Sequence, residues 1–357
     1  MTDKLKLLFV GQTWNGSSAR SLRDALAAIE GVDLDDIGED HYCPKGRSLL
    51  MRCINRLLKP IFKRELGAEI LGRCATLKPD VVVIYKGILV TEKVVASIRS
   101  LGIKTVNVFP DYSPHAYGSC LRRAIGQYDL VISTKPFHPE HWNTTYGYQN
   151  GCICVPHGYD PDVHLWSDLP EVQDIDVVIA SSWRPQYEEL LAEVGRLLPD
   201  PDVSVALAGP GWAEHRNSFP EHWQFPGAIF GRAYGEFVRR GKIVIAPVHT
   251  DVSIDGVMQP GDQDTTRTYE LASAYTFFLH RSTPFVRRVY EENKESVFWS
   301  DATELVEKIR HFLPLDHERR EIAAAAHQRA VPDYSVPSRA KEVLTQIEAL
   351  LKGDLVQ

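Results

Sequence analysis

The chain lacks any apolar run long enough to cross a membrane as a helix, since the best candidate, residues 81–90, is interrupted by Lys86 and Gly87. It also lacks a basic excess. The net charge is -7, which excludes a dedicated nucleic-acid binder, because neutralising phosphates requires a surplus of cations. The first residues show no long apolar core and no small-residue cleavage site, so we expect no secretory signal and a cytoplasmic protein.

Cysteine is scarce and confined to one part of the chain. All six cysteines lie in the first half, at spacings that fit neither a zinc ribbon nor a disulfide framework. We therefore expect buried or incidental thiols in a reducing compartment. The alternative is a redox or metal pair at Cys152 and Cys154.

Two α/β modules follow each other along the chain. A length of 357 residues exceeds what one hydrophobic core usually organises, which predicts two domains. Short β-branched runs alternate with helical ones, and this alternation predicts parallel, doubly wound sheets. The pattern breaks at a proline-containing connector and then restarts. The predicted domains are residues 1–155 and residues 156–337. The last helical segment, residues 338–357, is expected to pack on either half, with a return to the first domain as one alternative.

A glycine-bearing turn, residues 11–18, follows the first predicted strand and opens a helix. A Walker A loop would have lysine where Ser17 stands, and the dinucleotide pattern G-x-G-x-x-G is absent, which argues against ATPase and dehydrogenase functions. Two interpretations remain open. Asn15 and Gly16 line an acceptor site or cleft at the end of the strand, or they form a plain tight turn.

The segment 251–281 contains the residue types that bind nucleotides. Asp264, Thr265 or Thr266 would cap a helix start, whose free N–H groups suit a diphosphate. Arg267 adds a forked cation for phosphate oxygens, and Glu270 can accept two hydrogen bonds from a ribose diol. The alternative from these residues alone is an ordinary capped helix with solvated charges.

A family resemblance rests first on residues 267–313, which read RTYELASAYTFFLHRSTPFVRRVYEENKESVFWSDATELVEKIRHFL. This stretch resembles the C-terminal part of the CgeB-like glycosyltransferases, within the group-1 class of GT-B enzymes. Further segments that resemble the family are the helix 318–330, the strand-to-loop segment 179–184, the connector 155–160 and the first-domain strand 78–87.

The resemblance implies two Rossmann-like domains that face each other across a cleft. It implies a transferase of EC class 2.4 that moves a hexosyl or related sugar from a UDP-, GDP- or dTDP-linked donor to a hydroxyl. The acceptor would be a glycan, a lipid-linked molecule or a protein, in envelope or surface glycan synthesis. No separate cofactor and no metal are expected, and retention of configuration is preferred. The alternatives are a nucleotide-sugar epimerase of the same fold and a non-catalytic sugar- or nucleotide-binding envelope or spore-coat protein.

The resemblance also assigns roles to residues. Glu270 would bind the donor ribose, Arg267 with Thr265 and Thr266 would face the diphosphate, and Arg184 would be another phosphate contact. This sequence departs from the group-1 pattern E-x7-E, because a shorter acid stands at the first position of the pattern.

That shorter acid is Asp262, so the contact to the donor sugar falls to Asp262 or to the nearby Asp264. These two residues also spell D-x-D, the metal-binding signature of the GT-A architecture. The doubled α/β pattern argues against GT-A.

Residues on the predicted acceptor side follow first-domain strands. Asp111 and His115 come after the strand 104–109 and are the candidate general bases for an acceptor hydroxyl. Lys86 follows an earlier strand, and His157 lies in the connector, where each could line the cleft. The competing interpretations are that Asp111 and His115 are ordinary loop residues and that His157 makes a structural hydrogen bond.

One segment, residues 44–65, runs against the overall charge. It carries seven cations and one acid, interleaved with leucine, isoleucine and phenylalanine. Such a basic amphipathic stretch can lie on an anionic membrane, which would place the protein peripherally at the inner face. The alternative is a helix packed on the sheet with its cations extending to water.

Overall fold

The computed structural model of the protein describes residues 4–42 and 49–354, without the side chains of residues 49–53. Cys43 and the first part of the basic segment, residues 44–48, therefore lie outside the described residues, as do residues 355–357. Within the described part, the chain divides into two compact units. The first comprises Met1–Pro156, Ser253–Gln259 and Val336–Gln357, and the second comprises His157–Val252 and Pro260–Ser335.

The first unit is built on a six-stranded sheet in the order β2-β1-β3-β4-β5-β6, in which every pair is parallel. Its strands are β1 (Leu5–Gly11), β2 (Val32–Gly38), β3 (Val81–Tyr85), β4 (Lys104–Phe109), β5 (Leu130–Ser133) and β6 (Gly151–Cys154). The central strand β3 is buried on both faces, which explains its unbroken β-branched sequence.

Helices cover both faces of this sheet. They are α1 (Ser18–Ala27), α2 (Leu49–Leu77), α3 (Glu92–Ser100), α4 (Ser119–Ala124), α5 (His138–Thr144) and α13 (Val336–Lys352). The sequence left open which half the last helix packs on. In the structure α13 packs on the first unit, where Ala340 and Ile347 share a buried cluster with Leu26 of α1. The opposite face is covered by α2 and α3 through residues such as Ile70 and Val95.

The second unit has a parallel six-stranded sheet in the order β14-β13-β10-β7-β8-β9. Its strands are β7 (Ile175–Ala180), β8 (Val205–Ala208), β9 (Gln224–Gly227), β10 (Gly241–Ala246), β13 (Phe278–Arg281) and β14 (Val297–Trp299). Its helices are α6 (Pro161–His164), α7 (Pro185–Leu197), α8 (Arg232–Arg239), α9 (Arg267–Ser273), α10 (Val286–Val289), α11 (Ala302–Phe312) and α12 (Asp316–Ala330). A two-stranded sheet, β11 (Val252–Ile254) with β12 (Val257–Gln259), interrupts the chain between β10 and α9.

The second unit also has a helical layer on each face. Residues at alternating positions of β7 enter different cores: Val177 packs with α7 and α11, and Val178 packs with α8 and α9. The α/β prediction with two doubly wound sheets is therefore confirmed. None of the helices in the described residues is both long enough and apolar enough to span a membrane.

The structure corrects the sequence prediction at edge strands. The proline-containing connector is predicted to span residues 151–170 but begins as a strand, β6, and residues 257–259, which the sequence predicts as part of a loop from residue 256, form β12. Four strands, β2, β9, β11 and β14, have no counterpart in the prediction. Each is short or interrupted by polar residues, because an edge strand has a partner on one side only and needs no continuous apolar run.

A close backbone approach follows β8. Gly209 adopts a φ of +136°, and a Cβ added there would lie 1.9 Å from the carbonyl oxygen of Ser181. The Gly209 N–H also donates to the Gly227 carbonyl at 2.8 Å. Only glycine allows the chain after β8 to lie this close to the chain after β7.

We predict that Gly209→Ala lowers the free energy of unfolding by about 3 kcal/mol, because the new methyl group meets backbone that cannot move aside. Urea unfolding followed by circular dichroism measures the change. Gly227→Ala is the matched control. Its φ is +84° with open space around the added Cβ, so it should cost only about 1 kcal/mol of backbone strain. Equal losses in the two variants would contradict the steric explanation.

Candidate functional site

The second unit offers a ligand position where its strand order reverses. From β7 the chain proceeds outward to β8 and β9, then returns to β10 on the other side of β7. In open parallel sheets, ligands bind at the carboxyl ends of strands at such a switch point, because the loops there diverge. The loops after β7 and β10 are residues 181–184 and 247–266, and they contain or adjoin all the predicted donor residues.

Hydrogen bonds tie these two loops together. The Pro247 carbonyl, just after β10, accepts from the Tyr187 hydroxyl of α7 at 3.4 Å and from Nη2 of Arg267 at 3.1 Å. In addition, the Thr250 N–H donates to Oε1 of Gln186 at 3.0 Å. Arg184, the exposed residue immediately before α7, is thus held in the same neighbourhood as Arg267 at the start of α9.

The start of α9 is organised by a buried chain of hydrogen bonds. The Thr265 N–H donates to Oγ1 of Thr268 at 3.0 Å, and Thr268 in turn contacts Nε2 of His280 at 2.8 Å. Nδ1 of His280 lies 2.7 Å from the Arg281 carbonyl. Since a carbonyl can only accept, Nδ1 carries the proton and Nε2 accepts from the Thr268 hydroxyl. Burial lowers the pKa of His280 to about 4, so the imidazole is neutral.

This chain corrects the predicted helix cap. Thr266 occupies the N-cap position of α9, but its side chain makes no capping hydrogen bond. Asp264 is fully buried, and its Oδ2 accepts from the Tyr269 hydroxyl at 2.7 Å. The helix therefore begins without a side-chain cap, and its seven residues are held by contacts to the rest of the unit instead.

The acidic pair of the D-x-D sequence differs in environment. Asp264 lies inside the unit, whereas Asp262 is half-buried in the segment before α9. Among residues 4–42 and 49–354, no group of three His, Cys, Asp or Glu side chains is placed to hold a metal ion. The predicted donor roles of both aspartates remain predictions.

Polar atoms at the start of α9 have hydrogen-bonding capacity that the described residues do not use. Nε of Arg267 and Oγ1 of Thr265 are buried and have no hydrogen-bond partner there. An unsatisfied buried donor costs about 1–3 kcal/mol. Oxygens of a bound anion would recover that cost, which agrees with the predicted diphosphate contact of both residues.

Glu270 has two neighbours that the sequence did not indicate. His164 of α6 places Nε2 3.7 Å from its carboxylate, and the rings of His164 and Tyr234 meet edge to face at 5.7 Å. Burial first, and then the negative charge of Glu270, raise the pKa of Tyr234 well above its ordinary value. These residues are 106 and 36 positions away from Glu270 along the chain, so no local pattern could have linked them.

Two arginines fix the segment that carries His164. The guanidinium carbon of Arg232 lies 3.5 Å from the ring centroid of Trp166, and that of Arg239 lies 4.3 Å from it. Arg232 also donates to the Leu165 carbonyl at 2.9 Å. The residues that directly follow His164 are therefore held by two arginines, which helps to keep His164 beside Glu270.

The first unit has an equivalent switch point between β1 and β3, where the chain leaves toward β2 on one side and β4 on the other. The loop after β1 carries Asn15 and Gly16, both exposed, and Asn15 accepts a hydrogen bond from Arg20. Lys86 follows β3 and Asp111 follows β4. The structure brings these two together, with Nζ of Lys86 2.7 Å from Oδ2 of Asp111 and 3.9 Å from the ring centroid of Tyr117.

Buried polar groups hold Lys86 in place. Its backbone is left-handed, with φ +63°, and its carbonyl accepts from Nδ2 of the buried Asn107 at 3.2 Å. The next turn is held by Glu39, whose Oε1 accepts from the Leu89 N–H at 3.3 Å. Burial raises the pKa of Glu39 to about 7, although the positive charge of Lys86 partly opposes the shift. Glu39 was not among the residues predicted from the sequence, because several acidic residues stand close together there and nothing in the sequence distinguishes one of them.

His115 and His157 lie in different surroundings from the Lys86–Asp111 pair. His115 contacts the rings of Tyr146 and Tyr148 at 5.3 and 6.0 Å. Burial, followed by the charge of Arg122, lowers the pKa of His115, which favours its neutral form. His157 is half-buried and is the first residue of the second unit.

A family comparison covers most of the second unit. Residues 184–345 match a family model described as glycosyl transferase-like. The match begins at Arg184 and includes Arg267 and Glu270, and it makes this part of the chain similar to glycosyltransferases. No curated protein matches its sequence.

Solved structures extend the likeness to nearly the whole chain at the level of fold. HepE of Anabaena, in complex with UDP and glucose, superposes with a TM-score of 0.65 at 13% identity, covering 97% of this chain and 100% of HepE. Sucrose-phosphate synthase of Thermosynechococcus elongatus gives 0.70 at 12% identity, covering 98% and 100%. A protein described as UDP-N-acetylglucosamine 2-epimerase of Listeria monocytogenes gives 0.58 at 11% identity, covering 99% and 100%. The glycosyltransferase fold is GT-B, as expected. The narrower CgeB-like assignment remains a prediction.

We predict that His280 makes the second unit sensitive to acid. Its pKa is about 4 in the folded state and ordinarily 6.5, so the unfolded chain binds the proton first and stability falls as the pH drops through this interval. His280→Asn should lose the hydrogen bond from Thr268 and be less stable at neutral pH. The stability difference between this variant and the wild type should shrink by up to about 3 kcal/mol toward pH 4. The reason is that the wild type loses stability as the pH falls, whereas the variant has no buried imidazole at this position. Urea unfolding across this range is the measurement. His311→Asn, at an exposed histidine of α11, should leave the pH dependence unchanged.

We predict that Glu39 makes the stability change with pH in the opposite direction. Its pKa is raised from 4.5 to about 7, so the folded state retains a proton that the unfolded chain has lost, and stability falls as the pH rises through that interval. Glu39→Gln should therefore gain up to about 3 kcal/mol relative to the wild type between about pH 4.5 and 8. Thermal unfolding at several pH values tests this, with the exposed Glu30→Gln as control. A constant difference at all pH values would show that Glu39 titrates normally.

Proposed function

We propose that the protein transfers a hexosyl or related sugar from a UDP-linked donor to an acceptor hydroxyl. The observation that carries the proposal is the junction at the Pro247 carbonyl, which fastens Arg267 to the segment behind Arg184. Two cations from neighbouring strand ends can then serve one diphosphate. HepE, which shares the fold, is bound to UDP in its structure, and this supports UDP over GDP and dTDP.

The chemistry assigned to the second unit is stabilisation of a departing diphosphate. Arg184 and Arg267 would offset the charge that develops on the leaving oxygen, and Glu270 would hold the ribose diol. Thr265 and Thr266 would add contacts to phosphate oxygens, and Asp262 would reach toward the donor sugar. With these cations in place no metal is required, so we propose metal-independent transfer with retention of the anomeric configuration.

The acceptor side is assigned to the first unit. Asp111, kept close to Lys86, would accept a hydrogen bond from an acceptor hydroxyl. Asn15 and Gly16 would border the same strand ends. We propose a glycan, lipid-linked or protein acceptor in envelope or surface glycan synthesis, with the chain working at the inner face of a membrane that its basic segment contacts.

We predict that Arg184→Gln and Glu270→Gln each weaken UDP binding about tenfold or more, because each removes a charge-assisted hydrogen bond. Calorimetry with UDP, GDP, dTDP and CMP, with and without EDTA, measures the affinity and the donor class. Arg196→Gln is the matched control. Arg196 is exposed on α7, the helix that begins directly after Arg184, and this variant should bind UDP normally.

The outcome of the same titration can also reject the proposal. Unchanged UDP affinity in both variants would remove the assigned site, and dependence on a divalent ion would contradict metal-independent transfer. If none of the nucleotides binds to the wild type, the non-catalytic interpretation gains over the transferase.

A nucleotide-sugar epimerase remains the second candidate, because a protein described as such shares the fold over nearly its full length. The two reactions differ in their need for an acceptor. An epimerase converts a UDP-sugar to its isomer without any alcohol, whereas a transferase leaves the sugar unchanged apart from slow hydrolysis. Proton NMR of the UDP-sugar incubated with the protein alone distinguishes them.

A further inference from the structure

The first half of α2 exposes apolar side chains to solvent. Leu57 is 79% exposed, Leu58 37% and Ile61 43%. Spacings of three and four residues place them on one face of the helix, where they form a continuous stripe. We call Leu57, Leu58 and Ile61 the apolar stripe. Nothing in the described part of the first unit covers it.

The second half of the same helix is firmly packed. Leu66, Ile70 and Cys74 are buried in the core beneath the sheet of the first unit. The helix has 29 residues, with Pro60 inside it, and is about 44 Å long, so its packed half continues directly into the half that carries the apolar stripe. Residues 66–77 therefore form the packed part of the helix, whereas Leu57, Leu58 and Ile61 remain exposed in the described chain.

Cations border the apolar stripe. Arg56 and Arg64 are exposed, and Lys59 and Lys63 are half-buried. Residues 54–65 hold these four cations and one acid, Glu65, in a chain whose net charge is -7. A locally positive, apolar surface on an otherwise acidic protein is complementary to an anionic lipid layer, in which leucine enters the acyl boundary and cations meet headgroups.

Both kinds of side chain favour binding to such a layer. Burial removes leucine and isoleucine side chains from water, and an anionic surface attracts each arginine that comes close to it. A symmetric contact with a second copy fits less well, because it would bring the same arginines together.

We infer that residues 54–64 of α2 bind an anionic lipid surface through the apolar stripe and its flanking arginines. The consequence that the sugar acceptor is met at this surface rests on the proposed function. The lipid contact specifies the membrane part of that proposal, and it can stand without the transfer activity, since all its residues lie in the first unit and none belongs to the nucleotide site.

Flotation of the full-length protein with vesicles tests the inference. We expect binding to phosphatidylcholine vesicles that contain phosphatidylglycerol, little binding to pure phosphatidylcholine, and weakening by salt because exposed charges are screened. The triple variant Leu57→Ser, Leu58→Ser, Ile61→Ser should reduce the bound fraction at least tenfold. The double variant Arg56→Glu, Arg64→Glu should remove the preference for anionic lipid. Val172→Ser changes a 67% exposed apolar residue of the second unit and should have no effect.

Two further readouts make the result decisive. UDP binding by the same variants shows that they are folded, and a wild type that binds vesicles but no nucleotide would reject the proposed function while the lipid contact stands. Unchanged vesicle binding of the triple variant would overturn the inference. It would also be overturned if light scattering showed a dimer that the triple variant abolishes, because the stripe would then bind a second copy.

Discussion

Parallel strand pairing is the constraint on which both candidate sites depend. A parallel strand buried on both faces is mostly apolar, so most polar side chains collect at the ends of the strands. In each unit the carboxyl ends share one edge, and the reversal of strand order at β7/β10 and β1/β3 separates the loops there. This explains why Lys86 and Asp111 meet although they are distant in sequence, and why Arg184 and Arg267 both follow strands of one sheet. The candidate site residues are therefore concentrated at the strand ends.

The short helix α9 shows how that position is made rigid. Seven residues are too few for a stable helix on their own, so its orientation has to come from tertiary contacts. The neutral imidazole of His280 supplies one of them, since it can accept from Thr268 and donate to a carbonyl at the same time. A charged imidazole would donate from both nitrogens and would no longer accept from the Thr268 hydroxyl. Burial of His280 therefore stabilises both its neutral state and the hydrogen-bonded start of α9.

Sequence reasoning succeeded where burial dictates composition and failed where contacts are tertiary. The bounds of β3 and β4 were predicted correctly because β-branched runs have few alternatives in a two-sided core. Strand β2 was missed because its sequence VDLDDIG contains three aspartates, which an edge strand tolerates. The residue types of Arg267 and Glu270 indicated a nucleotide site. Their neighbours His164 and Tyr234 could not be inferred, because these residues come close to Glu270 only when α6 and α8 pack in the folded unit.

The helix α2 illustrates a different limit. Its apolar periodicity is the same whether a face packs on protein or on lipid, so the sequence alone left both interpretations open. Packing separates them, because Leu66 and Ile70 are buried while Leu57 remains mostly in water. An isolated exposed leucine needs no explanation, but three on one helical face, bordered by arginines within an acidic protein, form a patch. Since exposed apolar area is unfavourable in water, such a patch is best explained by a surface that covers it, and the flanking charges make that surface anionic.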